Sequence, residues 1–243
     1  MMAISGKVME KRVLSGAAGA SGFAFLLMLI SVATDYWMVL KVPSGFYRNV
    51  TKQYLIGANS GLWRLCRTEV KNLTESGGKI LRYCESLDMF PTNHNLSNHP
   101  EVDSGYLGRR GILDYRRTCS AFAIIGLVLM VMGIFFAFYS MREVRYMFKR
   151  LTSFIFFMSA LCVLVCIEVL MSSMTYAAAK LPSRIPKGSN LTYGFSFVFA
   201  WLAFIAYLAA GVVFLAYGRK KKSEHGVEEE VAEANQPLQL GRV

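Results

Sequence analysis

Ser60-Gly61-Leu62-Trp63-Arg64-Leu65-Cys66 lies in a polar stretch that follows the chain's first apolar run. Trp37 stands ahead of it, at the end of that run, and Cys84 stands behind it. The pattern brings anchoring aromatics, a turn-forming glycine and a pair of cysteines onto one side of an apolar segment. Tyr36 and Trp37 fall where interfacial aromatics collect at a membrane edge. Beyond that belt position, Trp37 is expected to help seat the loop on the apolar part, and Trp63 to do the same from within the loop.

Working outward, the chain of 243 residues is 54% hydrophobic yet carries a net charge of +11. Four apolar runs account for the hydrophobic content: about 13–33, 119–140, 151–176 and 193–217. Each has roughly the 20 residues a helix needs to cross a bilayer. One polytopic membrane domain over residues 1–222 is the expected organisation, with 223–243 as a tail. Ser31-Val32-Ala33 resembles a signal-peptide cleavage site, but the run before it is longer than a usual signal core.

The basic residues are a topology signal first. Lys7, Lys11 and Arg12 precede span one, Arg142, Arg145, Lys149 and Arg150 fill the turn between spans two and three, and Arg219 to Lys222 follow span four. With four crossings these clusters share one side, and the positive-inside rule puts both termini in the cytosol. The same clusters can meet anionic lipid of the bilayer. Nucleic-acid binding is poorly supported, because the charge is divided between the two faces of a membrane. Four Asn-X-Ser/Thr signals, at Asn49, Asn72, Asn95 and Asn190, all fall in the two loops assigned to the outside.

The first outer loop spans about 34–117. Its Tyr47–Cys66 part mixes aromatic and β-branched residues with Gly and Asn and reads as short strands. Ser76-Gly77-Gly78 marks a reversal between Cys66 and Cys84, Pro91–Asp103 reads as an irregular excursion, and Gly105–Arg117 leads into span two. The second outer loop, about 177–192, contains Pro182 and Pro186, which disfavour a long helix. The tail after Lys222 is acidic, lacks aromatics and reads as disordered.

Of five cysteines, Cys66 and Cys84 lie well inside the outer loop. A bridge between them would close a short loop, worth about 3 kcal/mol in the chain-entropy model. Free or differently paired thiols are the alternative, with Cys119 at the membrane edge as the other outside candidate. Cys162 and Cys166, four apart in span three, read as small buried apolar residues. Small residues at four-residue spacing in span one (Ser15/Gly19, Ala18/Gly22) allow close helix approach, within the chain's own bundle or against a partner's helix. Glu168 is the acidic residue well inside a span, about 26 Å along it from the cytosolic end. A charge there is costly, so Glu168 is expected to face the bundle, as a protonated or hydrogen-bonded group, or to meet a partner. His94, His99 and His225 are split between compartments, and no catalytic, metal-ligating or phosphate-cradling motif appears. No cofactor and no enzyme activity are expected.

The arrangement Trp37…Gly61-Leu62-Trp63-X-X-Cys66…Cys84 resembles the W…GLWxxC…C signature of the superfamily of claudins, peripheral myelin protein relatives and voltage-gated calcium channel gamma subunits. The resemblance covers about residues 7–222. Thr34-Asp35-Tyr36-Trp37, Ser60–Cys66 and Cys166-Ile167-Glu168-Val169 are similar to the gamma-subunit, stargazin-like branch. Tyr193-Gly194-Phe195-Ser196-Phe197 resembles the start of span four in that branch, with Phe195 in place of the usual Trp. The terminal Gly241-Arg242-Val243 does not match a PDZ-binding tail.

The resemblance implies a membrane α-helical fold: a left-handed bundle of four transmembrane helices with a small extracellular antiparallel β-sheet, most strands coming from the first loop and one from the second. It also implies an auxiliary subunit in the plasma membrane that modulates the gating or trafficking of an ion channel. A voltage-gated calcium channel would be the partner, or in second place a glutamate receptor, with Glu168 among the contacts. The rival reading is a claudin-like junction protein that self-associates into a paracellular barrier or pore; several glycosylation signals on the first loop count against close sheet packing between cells.

Overall fold

A computed structural model describes residues 2–48, 52–71, 79–86, 89, 102–142, 146–180, 185 and 188–234. In chain order the elements are α1 (Met2–Ala33), β1 (Met38–Arg48), β2 (Gln53–Ser60), β3 (Arg64–Lys71), β4 (Lys79–Ser86), α2 (Val102–Arg142), α3 (Tyr146–Lys180), β5 (Asn190–Tyr193) and α4 (Phe195–Ala234). Among the described residues, four helical segments are long and apolar enough to cross a membrane: Val8–Ala33, Gly111–Arg142, Met147–Ala179 and Phe195–Arg219. They match the four runs read from the sequence, and the chain is a multi-pass membrane protein.

The helices pack as a ring, α1 against α2 and α4, and α3 against α2 and α4. Hydrocarbon is as apolar as leucine, so close approach rather than hydrophobicity must hold such helices together. Small residues provide it. A Cβ on Gly133 would lie 2.7 Å from the Phe156 ring, and one on Gly211 would lie 3.1 Å from the Phe157 ring. Polar bonds add to this: Ser153 Oγ donates to the Gly211 carbonyl at 2.7 Å, and Cys119 Sγ to the Cys166 carbonyl at 3.4 Å. Met28, Met130, Phe156, Val163, Tyr207 and Phe214 fill the interior, whereas Phe23, Phe135, Phe138 and Val198 lie exposed on the outer surface, as lipid-facing side chains do.

The sheet has five strands in the order β4-β3-β2-β1-β5, antiparallel throughout. Four strands come from the first loop and β5 from the second, which joins the two loops into one layer at one end of the bundle. β5 pairs with β1 from Met38 opposite Tyr193 to Lys41 opposite Asn190. Strands β3 and β4 pair from Arg64 opposite Ser86 to Lys71 opposite Lys79. The Ser76-Gly77-Gly78 reversal between them falls outside the described residues, as do residues 91–101 of the irregular excursion.

Three expectations need revision. The stretch read as loop up to residue 117 is helical from Val102, so α2 projects well beyond its apolar core. Three glycines and four arginines between 105 and 117 conceal the helical spacing of Ile112, Tyr115, Arg116 and Cys119. Gly111 lies where its Cβ would be 2.9 Å from the Tyr176 ring, so that extension packs on α3. At the other end, α4 continues to Ala234 through residues expected to be disordered. Glu and Ala, which dominate 228–234, are strong helix formers even without an apolar face. Lastly, Gly16 and Gly19 of α1 are exposed, and a Cβ on Gly16, Gly19 or Gly22 would meet nothing within 4 Å. Of the small residues quoted above, Ala18 is buried in the bundle; the glycines are not its packing surface.

Candidate functional site

The residues of the signature converge where the sheet meets the bundle. Helix α1 ends at Ala33, leaving carbonyls of its last turn without intrahelical donors. Two tryptophans supply them. Trp37 Nε1 donates to the Ser31 carbonyl at 2.7 Å, and Trp63 Nε1 donates to the Val32 carbonyl at 3.1 Å. Trp37 is fully buried and, with Leu62, belongs to the same core as Met28 and Ile167. The sheet therefore closes the bundle core rather than resting on it.

Glycine is required twice at this joint. A Cβ on Gly61 would lie 2.7 Å from Asp35 Cα, a backbone atom that has nowhere to go. A Cβ on Gly194, between β5 and α4, would overlap the Tyr36 carbonyl. The backbone N–H of Gly194 donates to the Trp37 carbonyl at 3.1 Å, and the N–H of Trp37 to the Ser60 carbonyl at 3.2 Å. Phe195 stacks on Tyr36 with ring centroids 5.0 Å apart, so phenylalanine supplies an aromatic partner at that position.

Side chains stitch the remaining edges. Ser31 Oγ donates to the Ser196 carbonyl at 2.6 Å, and the Thr34 and Ser196 hydroxyls share a 2.7 Å bond. Arg64 pairs with Asp35 at 3.0 Å. Arg116 of α2 donates to the Gly61 carbonyl at 3.2 Å and to Ser60 Oγ at 2.7 Å. Five elements, α1, β2, β3, α2 and α4, thus meet within one hydrogen-bonded layer. The cavity beside it, lined in part by Gly61, Leu62, Arg116 and Cys119, holds about 20 Å³, room for about one water. The joint is a structural hub in which most of the described polar groups bond to one another, and the cavity beside it is small.

Cys66 and Cys84 face each other across β3 and β4 and form a disulfide, their Cα atoms 4.0 Å apart. The bridge clamps the edge strand β4, which is almost wholly exposed. Cys119, Cys162 and Cys166 are buried free thiols. Asn190 is exposed at the start of β5, while Asn49, Asn72 and Asn95 lie outside the described residues.

Glu168 is not part of the joint and does not face the bundle. It is exposed on the outward side of α3, between buried Ile167 and half-buried Val169, and no hydrogen bond or ion pair joins it to any described residue. Of the two expected environments, the bundle interior is therefore excluded. Sequence reasoning also passed over Arg116, which resembles an ordinary charge ahead of a span, and the pair of Lys149 with Glu10. Lys149, counted above as an orientation charge, is buried and bonded to the Glu10 carboxylate of α1.

A membrane bundle closed by a disulfide-clamped sheet through Trp37, Gly61, Leu62 and Trp63 defines the architectural class of this multi-pass membrane protein. Residues 22–216 match the family model described as PMP-22/EMP/MP20/Claudin tight junction, and the chain belongs to that family. Within it, the chain is similar to the human voltage-dependent calcium channel gamma-7 subunit, 26% identical over 217 residues, covering 87% of this chain and 71% of the relative. The mouse gamma-1 subunit is 26% identical over 194 residues, 79% of this chain and 82% of the relative. The mouse gamma-5 subunit is 24% identical over 189 residues, 77% of this chain and 63% of the relative.

Proposed function

We propose that this chain is a gamma-type auxiliary subunit that binds the pore subunit of a voltage-gated calcium channel in the plasma membrane and alters its gating or surface delivery. The observation that carries this reading is the similarity to calcium channel gamma subunits over most of the chain. The geometry is compatible with it. The signature residues are consumed in holding the fold together, so binding falls to outer surfaces: the membrane-exposed faces of α2 and α3, Glu168 among them, and the exposed side of the sheet. The basic clusters favour cytosolic termini, and the sheet would then lie outside, where Asn190, Asn49, Asn72 and Asn95 could receive glycans.

An auxiliary subunit acts only through a difference in affinity between channel states. Surfaces that touch a moving part of the pore subunit have that property; equal binding to every state would change nothing. The test is co-expression of the full chain with a voltage-gated calcium channel pore subunit, extraction in mild detergent and purification through a tag on this chain. The pore subunit is expected in the eluate. Elution of this chain alone, or its assembly into strands at cell contacts, would contradict the proposal; strands would mark a junction protein instead.

A further inference from the structure

The outward face of α3 changes character along its length. Leu151, Phe154, Met158 and Leu161 are large, apolar and exposed. Further along the same face come Glu168, Ser172 and Thr175, all exposed. Thr175 satisfies its hydroxyl on its own helix, at the Met171 carbonyl, whereas Glu168 has no partner among the described residues. The membrane-spanning segment of α3 is Met147–Ala179. Glu168 lies about 8 Å past its midpoint toward the sheet end, inside a hydrocarbon half-thickness of about 15 Å. A side chain of two methylenes does not reach the headgroups from there. Lipid alone would leave the carboxyl group facing hydrocarbon, an expensive position that membrane helices reserve for a partner.

The chain's own composition narrows that partner. Residues 13–33, 119–140, 151–179 and 195–217 contain no Lys or Arg. The cations nearest that depth, Arg116 and Arg117 of α2, are already engaged within their own chain, with Gly61, Ser60, Met89 and Asp114, so a second copy offers no free cation to Glu168 and the occupant is a different protein. We propose that the outward face of α3 lies lengthwise against a transmembrane helix of the pore subunit, and that this helix carries a lysine or arginine opposite Glu168. The proposal rests on the auxiliary-subunit reading above and gives its contact surface a chemistry. The apolar ridge from Leu151 to Leu161 supplies packing, and the ion pair fixes the register of one helix along the other, as a single buried polar pair does in helical assemblies.

The test compares full-length variants in the co-purification described above, normalised to the amount of each variant at the cell surface. Glu168→Leu removes the carboxylate without touching the bundle, and it is expected to lower pore-subunit recovery about tenfold, the loss of one desolvated charge-assisted contact. Leu161→Ala, seven residues back on the same face, tests the ridge independently and is expected to reduce recovery about threefold. Val198→Ala, on the exposed side of α4, is expected to change nothing. Undiminished recovery with both Glu168→Leu and Leu161→Ala overturns the α3 seam while leaving the auxiliary-subunit reading intact. Recovery lost with Leu161→Ala but not with Glu168→Leu overturns the ion pair. Absence of the pore subunit from the wild-type eluate overturns both.

Discussion

Trp63 could be taken for a belt aromatic, replaceable by any large ring; its indole N–H makes it more than that. With Trp37 it caps carbonyls at the end of α1, and neither bond survives exchange for phenylalanine. Trp37→Phe keeps most of the buried ring but leaves the Ser31 carbonyl with only the longer 3.3 Å bond from Thr34 Oγ1, which is expected to cost about 1 kcal/mol. Thermal unfolding of the detergent-purified protein reads that loss directly, with a smaller shift for half-buried Trp63→Phe. Glycines offer a sharper contrast. Gly61→Ala drives a methyl into Asp35 backbone and is expected to abolish surface delivery, whereas Gly19→Ala meets no atom within 4 Å and should leave it unchanged. Equal surface levels for the two variants would contradict the account of the joint. At this scale the signature residues were legible as a group because their types are unusual together: tryptophans near a turn glycine. Arg116, Ser31 and Ser196 were not, since a serine in a span or an arginine at its edge has many ordinary reasons to be there.

The β3–β4 hairpin would be marginal without its clamp, since β4 lies at the sheet edge with little burial. Cys66→Ser is expected to lower stability by about 3 kcal/mol, seen as a reduced melting temperature and intracellular retention. Matching melting curves for the variant and the reduced wild type would show that the bond alone is responsible. A second device works at the opposite end of the bundle, where buried Lys149 on α3 meets Glu10 on α1. Breaking such a pair leaves a charge uncompensated, while removing both partners can be nearly neutral. Lys149→Met should therefore destabilise the protein, and Glu10→Leu in the same chain should restore most of the loss; additive losses in the double variant would rule out the pairing. Strands were legible from the aromatic and β-branched content of the first loop, and their order was not, because pairing between β1 and β5 depends on a segment some 150 residues away. The early start of α2 escaped notice because its glycines and arginines resemble loop composition. The helical extension of α4 escaped because charge without aromatics suggests solvation, though Glu and Ala also favour helix.

For the whole molecule, hydropathy alone gave the crossings, since a bilayer admits few structures and demands about 20 apolar residues for each. Orientation came from basic clusters, and it is expected that tags on either terminus stay inaccessible in intact cells while glycosidase treatment shifts the mass of the surface protein. What sequence could not supply is the direction in which Glu168 points. A lone acidic residue in a span is compatible with a buried structural role or an outward one, and only packing of its neighbours Cys166 and Ile167 into the core turns it to the surface. That outward carboxyl group gives the proposed docking role, which rests on the similarity to calcium channel gamma subunits, a particular surface. The most direct test is electrophysiological: calcium currents recorded from cells expressing a voltage-gated calcium channel pore subunit with and without this chain. The account predicts a shift in the voltage dependence of gating, or a change in current density, when the chain is present. Identical currents in cells where surface labelling finds both proteins would contradict it.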